Sequence, residues 1–294
     1  MSDQMKRTVV VTGASTGIGA ACAAALVQSG YFVFGAVRQA ADAARLKERL
    51  GDAFAPLFFD VTDAGAIAEA AKVVESHLKG AILAGLVNNA GVAIAGPLLY
   101  LPIEDFRRQF EINVTGYLSV TQAFAPLLGA RQPLVRKPGR IVMMSSLVGR
   151  FAAPFIGAYS ASKFALEGMS DALRRELNVY GIDVVLIEPG MIATPIWRKA
   201  ESADYTSFDT TIYGEAARRT RKEIIAQEHR ALRPESVAAA VLRALTAPRP
   251  PVRIPVMKNR FLVWTLPRFL PTRLLDWLTS NHMGFSALRK KLLD

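Results

Sequence analysis

The run T-V-V-V-T-G-A-S-T-G-I-G, residues 8–19, constrains the fold of this chain more than any other stretch. Residues 8–12 form a short continuous apolar run, the pattern of a strand buried on both faces of a parallel sheet. An Ala-rich helix pattern follows over about 20–29, Gly30 stops it, and a second apolar run covers 31–37. That is a βαβ unit with glycines at 13, 17 and 19 in its first turn. A turn free of side chains lets backbone N–H groups and a helix N-terminus approach a diphosphate closely. The spacing therefore predicts a dinucleotide site carried by Gly13, Ser15, Thr16, Gly17, Ile18 and Gly19, although G-x-x-x-G-x-G differs from the G-x-G-x-x-G form.

The alternation continues. Helices are expected over 41–50 and 64–78 and strands over 55–59 and 85–88. One long helix is expected over 104–124, closed by Pro126, then a surface loop over 129–139 and a strand to Ser145. A helix over 165–180, a strand over 183–187 and a helix from Pro234 complete the series. With 294 residues and no long polar linker, the expected architecture is a single-domain α/β fold, a Rossmann-like doubly wound parallel sheet flanked by helices. Residues 1–250 would form the dinucleotide-binding and catalytic unit, with a substrate lid over 195–232, and 251–294 an apolar and basic extension.

Strand ends on one edge of such a sheet are where ligands bind. The second strand ends V-F-G-A-V-R-Q, with Arg38 where an acidic residue would hold an adenosine ribose, so NADP is expected over NAD. An arginine simply exposed to solvent would look the same. Asp60, followed by Val61, ends the third strand, and N-N-A-G, with Asn88, Ala90 and Gly91, ends the fourth. A plain Asn-Gly turn also explains that run. Asn113 sits in the middle of the expected long helix, where asparagine is a poor helix former.

The run Y-S-A-S-K places Tyr159 and Lys163 four residues apart, on one face of a helix. A solvated polar stripe has this pattern. So does a phenol acidified by a neighbouring ammonium to pass protons near neutral pH. Those five letters leave both readings open.

Taken in order, these features resemble the short-chain dehydrogenase/reductase family of the G-x-x-x-G-x-G, Y-x-x-x-K type over residues 6–247. The matches are Thr12, Gly13, Gly17 and Gly19; Asp60 and Val61; 88–91; Asn113; Ser146; Tyr159 and Lys163; and Pro189, Gly190 and Thr194. The resemblance implies an NAD(P)-linked oxidoreductase with Asn113, Ser146, Tyr159 and Lys163 as its catalytic set. Tyr159 would transfer the proton, Ser146 would polarise the substrate oxygen, Lys163 would also hold the nicotinamide ribose, and Asn113 would anchor a water. Pro189, Gly190, Ile192 and Thr194 would line the nicotinamide, Asp60 and Val61 the adenine. A homo-oligomer, dimer or tetramer, is implied as well.

A net charge of +11 points to anionic company. No zinc-finger, RNA-recognition or helix-turn-helix signature accompanies the basic residues, so no nucleic-acid partner is expected. The lone Cys22 lies in the Ala-rich helix pattern and reads as a small core residue. His77, His229 and His282 are scattered, so no metal is expected. The start of the chain runs into a strand without the apolar segment of a secretory signal, which points to the cytoplasm.

The chain is 51% hydrophobic with a mean hydropathy of +0.22, an apolar excess that needs a location. Part lies in the lid, where Trp197, Tyr205 and Phe208 are candidate anchors. The rest lies in F-L-V-W-T-L-P-R-F-L-P-T-R-L-L-D-W-L, residues 261–278, an arrangement similar to retinol, hydroxysteroid and 3-hydroxybutyrate dehydrogenase relatives. That tail can roof a lipophilic pocket, cover the core or a neighbouring subunit, or lie on a membrane with Arg260, Arg268 and Arg273 on anionic headgroups. A roof of Trp, Phe and Leu favours a steroid, a retinoid or a similar lipophilic substrate. Two rivals remain at this stage: an NAD-linked dehydrogenase of a hydroxy acid or alcohol, and a non-catalytic NADP-binding sensor or scaffold.

Overall fold

The computed structural model describes residues 7–195, 206–226 and 231–293. Seven parallel strands form one sheet in the order β3-β2-β1-β4-β5-β6-β7. They are β1 (Thr8–Val11), β2 (Phe32–Val37), β3 (Phe54–Phe58), β4 (Gly85–Asn88), β5 (Arg140–Met144), β6 (Asp183–Pro189) and β7 (Arg253–Val256). The strand order reverses beside β1, so the crevice outside the carboxyl ends of β1 and β4 is the topological switch point. β7 lies just past residue 250 and pairs in register with β6, Ile187 opposite Ile254.

Alternate residues of the strands feed two cores. Val9, Val11, Val33, Val87, Val142 and Val185 pack with Cys22 and Leu26 of α1 (Gly17–Gln28) and with Val237 and Val241 of a late helix, Pro234–Thr246. Val10, Phe34, Leu86, Ile141, Met143 and Leu186 face the other way, onto Ile67 and Val74 of α3 (Ala64–Leu78), Phe124 of α5 (Gly116–Leu128) and Leu166 of α6 (Gly157–Leu177). Both faces are covered, which is why the strands read as continuous apolar runs. α2 (Ala40–Leu50) and α4 (Ile103–Phe110) complete the helices of the N-terminal half. Cys22 is fully buried, as expected of a core residue, and burial pushes its thiol up to about 12.

Two helices differ from the sequence expectation. The stretch expected as one helix over 104–124 is α4, a π-helical turn over Glu111–Thr115 and α5, with Pro126 inside α5 rather than closing it. The π turn places one extra residue in the helix at Asn113 and rotates that side chain inward; single π turns of this kind recur at functional sites. α6 begins at Gly157, eight residues before the expected start, so Tyr159 and Lys163 belong to its first turns. Tyr-Ser-Ala-Ser-Lys carries no apolar 3.6-residue period to mark a helix there.

The second half of the chain adds α7 (Thr206–Asp209), α8 (Gly214–Ala226), α9 (Pro234–Thr246), α10 (Thr272–Met283) and α11 (Phe285–Leu293). α8 carries the basic run A-A-R-R-T-R-K-E of the lid region. Trp197, Tyr205 and His229 lie outside the described residues.

Candidate active site

The glycine turn between β1 and α1 is built for close approach. Gly13 and Gly17 have φ of +62° and +55°, the left-handed region that favours glycine. A Cβ on Gly13 would sit 2.8 Å from Cα of Ala90, and one on Gly19 would sit 2.1 Å from the carbonyl oxygen of Gly13. Side chains are excluded at these points by the neighbouring backbone itself. Thr12 ties the turn to the end of β4: its Oγ1 accepts from the N–H of Asn89 at 2.8 Å and of Ala90 at 3.0 Å. Asn89 returns the contact by donating from Nδ2 to the carbonyl of Thr12 at 3.0 Å.

A cleft of about 590 Å³ opens above this turn. It is lined by Gly13, Ser15, Thr16, Gly17 and Ile18 of the turn, by Arg38, Asp60 and Val61, and by Ala90, Gly91 and Thr194. Asn89 also lines it, whereas the side chain of Asn88 turns into the interior and donates to Thr121 Oγ1 at 2.9 Å. Arg38 reaches Asp60 at 3.3 Å across the rim. Partial burial works to raise the Asp60 carboxyl, but hydrogen bonds from Thr62 and the Arg38 guanidinium outweigh it and hold the group below the usual carboxylate range. The cleft also runs past Val92, Ala93, Ile94, Ala95, Leu101 and Phe208, with Asp105 and Arg108 among its lining residues.

Beside this stretch the remaining polar side chains converge. Asn113 is fully buried and grips the backbone of Val92 from both sides, accepting from its N–H at 3.0 Å and donating to its carbonyl at 2.9 Å. Its Nδ2 also donates to Ser162 Oγ at 3.2 Å, and Ser162 donates to the carbonyl of Tyr159 at 2.7 Å. Asn113 thus locks the cleft wall to the first turns of α6. Gln109 repeats the arrangement one turn earlier, donating to Val92 at 2.8 Å and accepting from Ile94 N–H at 2.7 Å. Nothing in the sequence pattern distinguished Gln109 from an ordinary helix residue.

Ser146, just past β5, lies near enough to Tyr159 for its hydroxyl to oppose the effect of burial on the phenol. Its Oγ also lies 3.5 Å from the carbonyl of Pro189. Lys163, one turn beyond Tyr159, donates from Nζ to the carbonyl of Met144 at 2.7 Å and lies 5.3 Å from the Tyr117 ring centre and 5.7 Å from that of Tyr159. Burial disfavours the charged forms of both groups. It holds the Tyr159 phenol above its ordinary value, with the Ser146 hydrogen bond opposing, and brings Lys163 down to about 7, with the Glu167 carboxylate opposing. Tyr159 is therefore a protonated phenol at neutral pH, and Lys163 sits near its midpoint.

Behind Lys163 lies an ionic cluster that sequence reading missed. Glu188, fully buried near the end of β6, meets Arg150 at 3.2 Å and Arg253 at 3.5 Å and accepts from the Trp264 indole N–H. Glu167 meets Arg253 at 2.9 Å. Burial and the Glu167 charge push the Glu188 carboxyl up, against Trp264 and Arg150. These residues are scattered from position 150 to position 264 of the sequence, with no spacing to announce them. Past β6, Gly190 donates to the Val256 carbonyl at 3.0 Å, and Ile192 pairs with Leu232, which fixes the segment leading to Thr194.

The family model described as short chain dehydrogenase matches residues 7–204. The chain is 40% identical over 270 residues to an NADPH-dependent 3-dehydrocapnine reductase of Ornithobacterium rhinotracheale, covering 92% of this chain and 95% of that protein. It is 34% identical over 285 residues to retinol dehydrogenase 5 of Homo sapiens, covering 91% and 86%. Among solved structures, a short-chain dehydrogenase from Streptomyces avermitilis aligns with a TM-score of 0.74 at 25% identity, over 98% of this chain and 99% of that one.

Proposed function

The chain belongs to the short-chain dehydrogenase family, and from that premise we propose that it is an NADP-preferring oxidoreductase acting on a lipophilic secondary alcohol or its ketone. The observation that carries this reading is the placement of Tyr159 and Lys163 in the first turns of α6, which Asn113 ties to Val92 of the cleft that the glycine turn lines. The cradle fits a dinucleotide diphosphate, since the positions a Cβ would block are all glycine.

When bound, the nicotinamide would supply the hydride for reduction or accept it for oxidation. Tyr159 Oη, protonated at neutral pH, donates its proton to the carbonyl oxygen as negative charge develops there. Ser146 Oγ hydrogen-bonds the same oxygen and lowers the cost of that charge. Lys163, held by Met144, binds the nicotinamide ribose and favours the phenolate left on Tyr159. Asn113 keeps Val92 and the start of α6 in register and, by family resemblance, holds the water that reprotonates Lys163. By family resemblance, the segment from Pro189 to Thr194 would line the nicotinamide and Asp60 and Val61 would border the adenine, with Ala90 and Gly91 also lining the cleft.

Arg38 supports NADP. It stands exposed at the cleft rim, and a ribose phosphate offers its guanidinium more charge than Asp60 does. The name of the 40%-identical relative, an NADPH-dependent reductase, points the same way. The apolar side chains that line the cleft, Ile94, Leu101 and Phe208 among them, support a lipophilic substrate. The test is NADPH consumption with bulky apolar ketones, steroid and retinoid carbonyls among them, set against small polar ketones and hydroxy acids. Preference for the bulky set is expected. Preference for small polar substrates would overturn the substrate class, and cofactor binding without turnover anywhere would favour a sensor or scaffold.

A further inference from the structure

The segment over 258–293 is anchored on its inner side and apolar on its outer side. Trp264 donates to the buried Glu188, and the Arg268 guanidinium stacks 3.6 Å from the Trp264 ring centre. Met283 packs against Phe155 and Ala217 in a small separate core, with the Phe285 ring edge-on to Phe155. The outward residues are exposed instead. Phe261 is 67% exposed, Phe269 80% and Trp277 59%, and Leu262 and Leu278 are exposed with them. On α10, Leu274, Trp277 and Leu278 fall at positions i, i+3 and i+4, so one helix face is apolar and uncovered. A contiguous face of this kind is unusual on a monomer.

Charge identifies the occupant. Residues 258–293 hold seven Lys or Arg and a single carboxylate, Asp276. Lys258, Arg260, Arg268, Arg273, Arg289 and Lys290 are all exposed. A two-fold dimer through this face would set the patch against its own copy, bringing the two sets of cations together. An anionic lipid surface instead satisfies both features, taking Phe and Trp at the headgroup boundary and Lys and Arg on the phosphates. Among the described residues no helix is long and apolar enough to cross a membrane, so the contact lies in the plane of the interface.

We propose that the 258–293 segment docks the protein reversibly on anionic bilayers through Phe261, Leu262, Phe269, Trp277 and Leu278, with Arg260 and Arg273 on the headgroups. Docking of this kind is independent of the cofactor and substrate assigned above. Flotation of the full chain with phosphatidylcholine–phosphatidylglycerol vesicles, against pure phosphatidylcholine vesicles, tests it. The chain should float with the anionic vesicles and be released by salt, as the screening length falls from about 10 Å at 0.1 M to about 3 Å at 1 M. The variants Phe261→Ser/Phe269→Ser/Trp277→Ser and Arg260→Glu/Arg273→Glu should each lower the partition coefficient by about tenfold or more. The charge variant leaves the apolar residues in place, so the test stands even where the serine variant folds poorly. Failure to float with either vesicle overturns the proposal, as does binding that neither variant weakens. A concentration-dependent dimer in sedimentation velocity, dissociated by the serine variant without vesicle binding, would assign the patch to a second copy and overturn it as well.

Discussion

Lys163 should write a distinctive signature into the pH dependence of stability. Its ammonium faces the Met144 carbonyl, the rings of Tyr117 and Tyr159 and, one turn on, the Glu167 carboxylate. Burial outweighs these and lowers its pKa from 10.5 to about 7. Below pH 7 the lysine is charged in both folded and unfolded chains, and the folded state bears the full cost of burying that charge. Above pH 7 the folded lysine is neutral while the unfolded one still binds a proton, so stability rises with pH. The rise is bounded above by Cys22, whose thiol, at 9.0 when unfolded and about 12 when folded, contributes the opposite slope from pH 9 onward. Between pH 7 and 9 the lysine alone should add about 2 kcal/mol to the unfolding free energy. Urea unfolding of wild type and of Lys163→Met across that window measures it. The wild-type midpoint should climb while the variant stays flat. Parallel profiles would refute the idea that burial governs this lysine.

Two further substitutions probe the site from other sides. Arg38→Asp should invert the ratio of NADPH to NADH affinity, because the replacement repels a ribose phosphate and accepts a hydrogen bond from a ribose hydroxyl; an unchanged ratio by fluorescence titration would remove Arg38 from cofactor choice. Trp264→Phe should lower stability by about 1–3 kcal/mol, since the buried Glu188 carboxylate loses its indole donor, and a midpoint unchanged in urea would mean that this contact carries no stability.

The fold was legible because its determinants are local. Strands buried on both faces read as apolar runs, and the glycines of the first turn are needed where a Cβ would strike Ala90 or Gly13. Tyr159 and Lys163 were legible as a pair because helical spacing brings i and i+4 together whether or not the helix start is recognised. The π turn at Asn113 was not legible. It depends on the fit of Asn113 and Gln109 to the backbone of Val92, a contact between segments with no shared period. The same holds for the Glu188, Arg150, Arg253 and Trp264 cluster, assembled from a strand end, a turn, the last strand and the C-terminal segment. Sequence reasoning gave Lys163 the task of acidifying Tyr159. The structure adds that burial pushes both groups toward their neutral forms, a quantity fixed by packing that no motif encodes. The tail was read as the home of the apolar excess, but only coordinates separate the inward Trp264 and Met283 from the outward Phe261, Phe269 and Trp277.

The most direct test of the central claim compares wild type with Tyr159→Phe for NADPH binding and for NADPH-dependent ketone reduction. The account predicts that the variant binds NADPH with affinity close to wild type while turnover falls by about 10²–10⁴, the worth of a positioned general acid. A variant that reduces ketones at the wild-type rate would contradict it, and the proton donor would have to be sought elsewhere in the cleft.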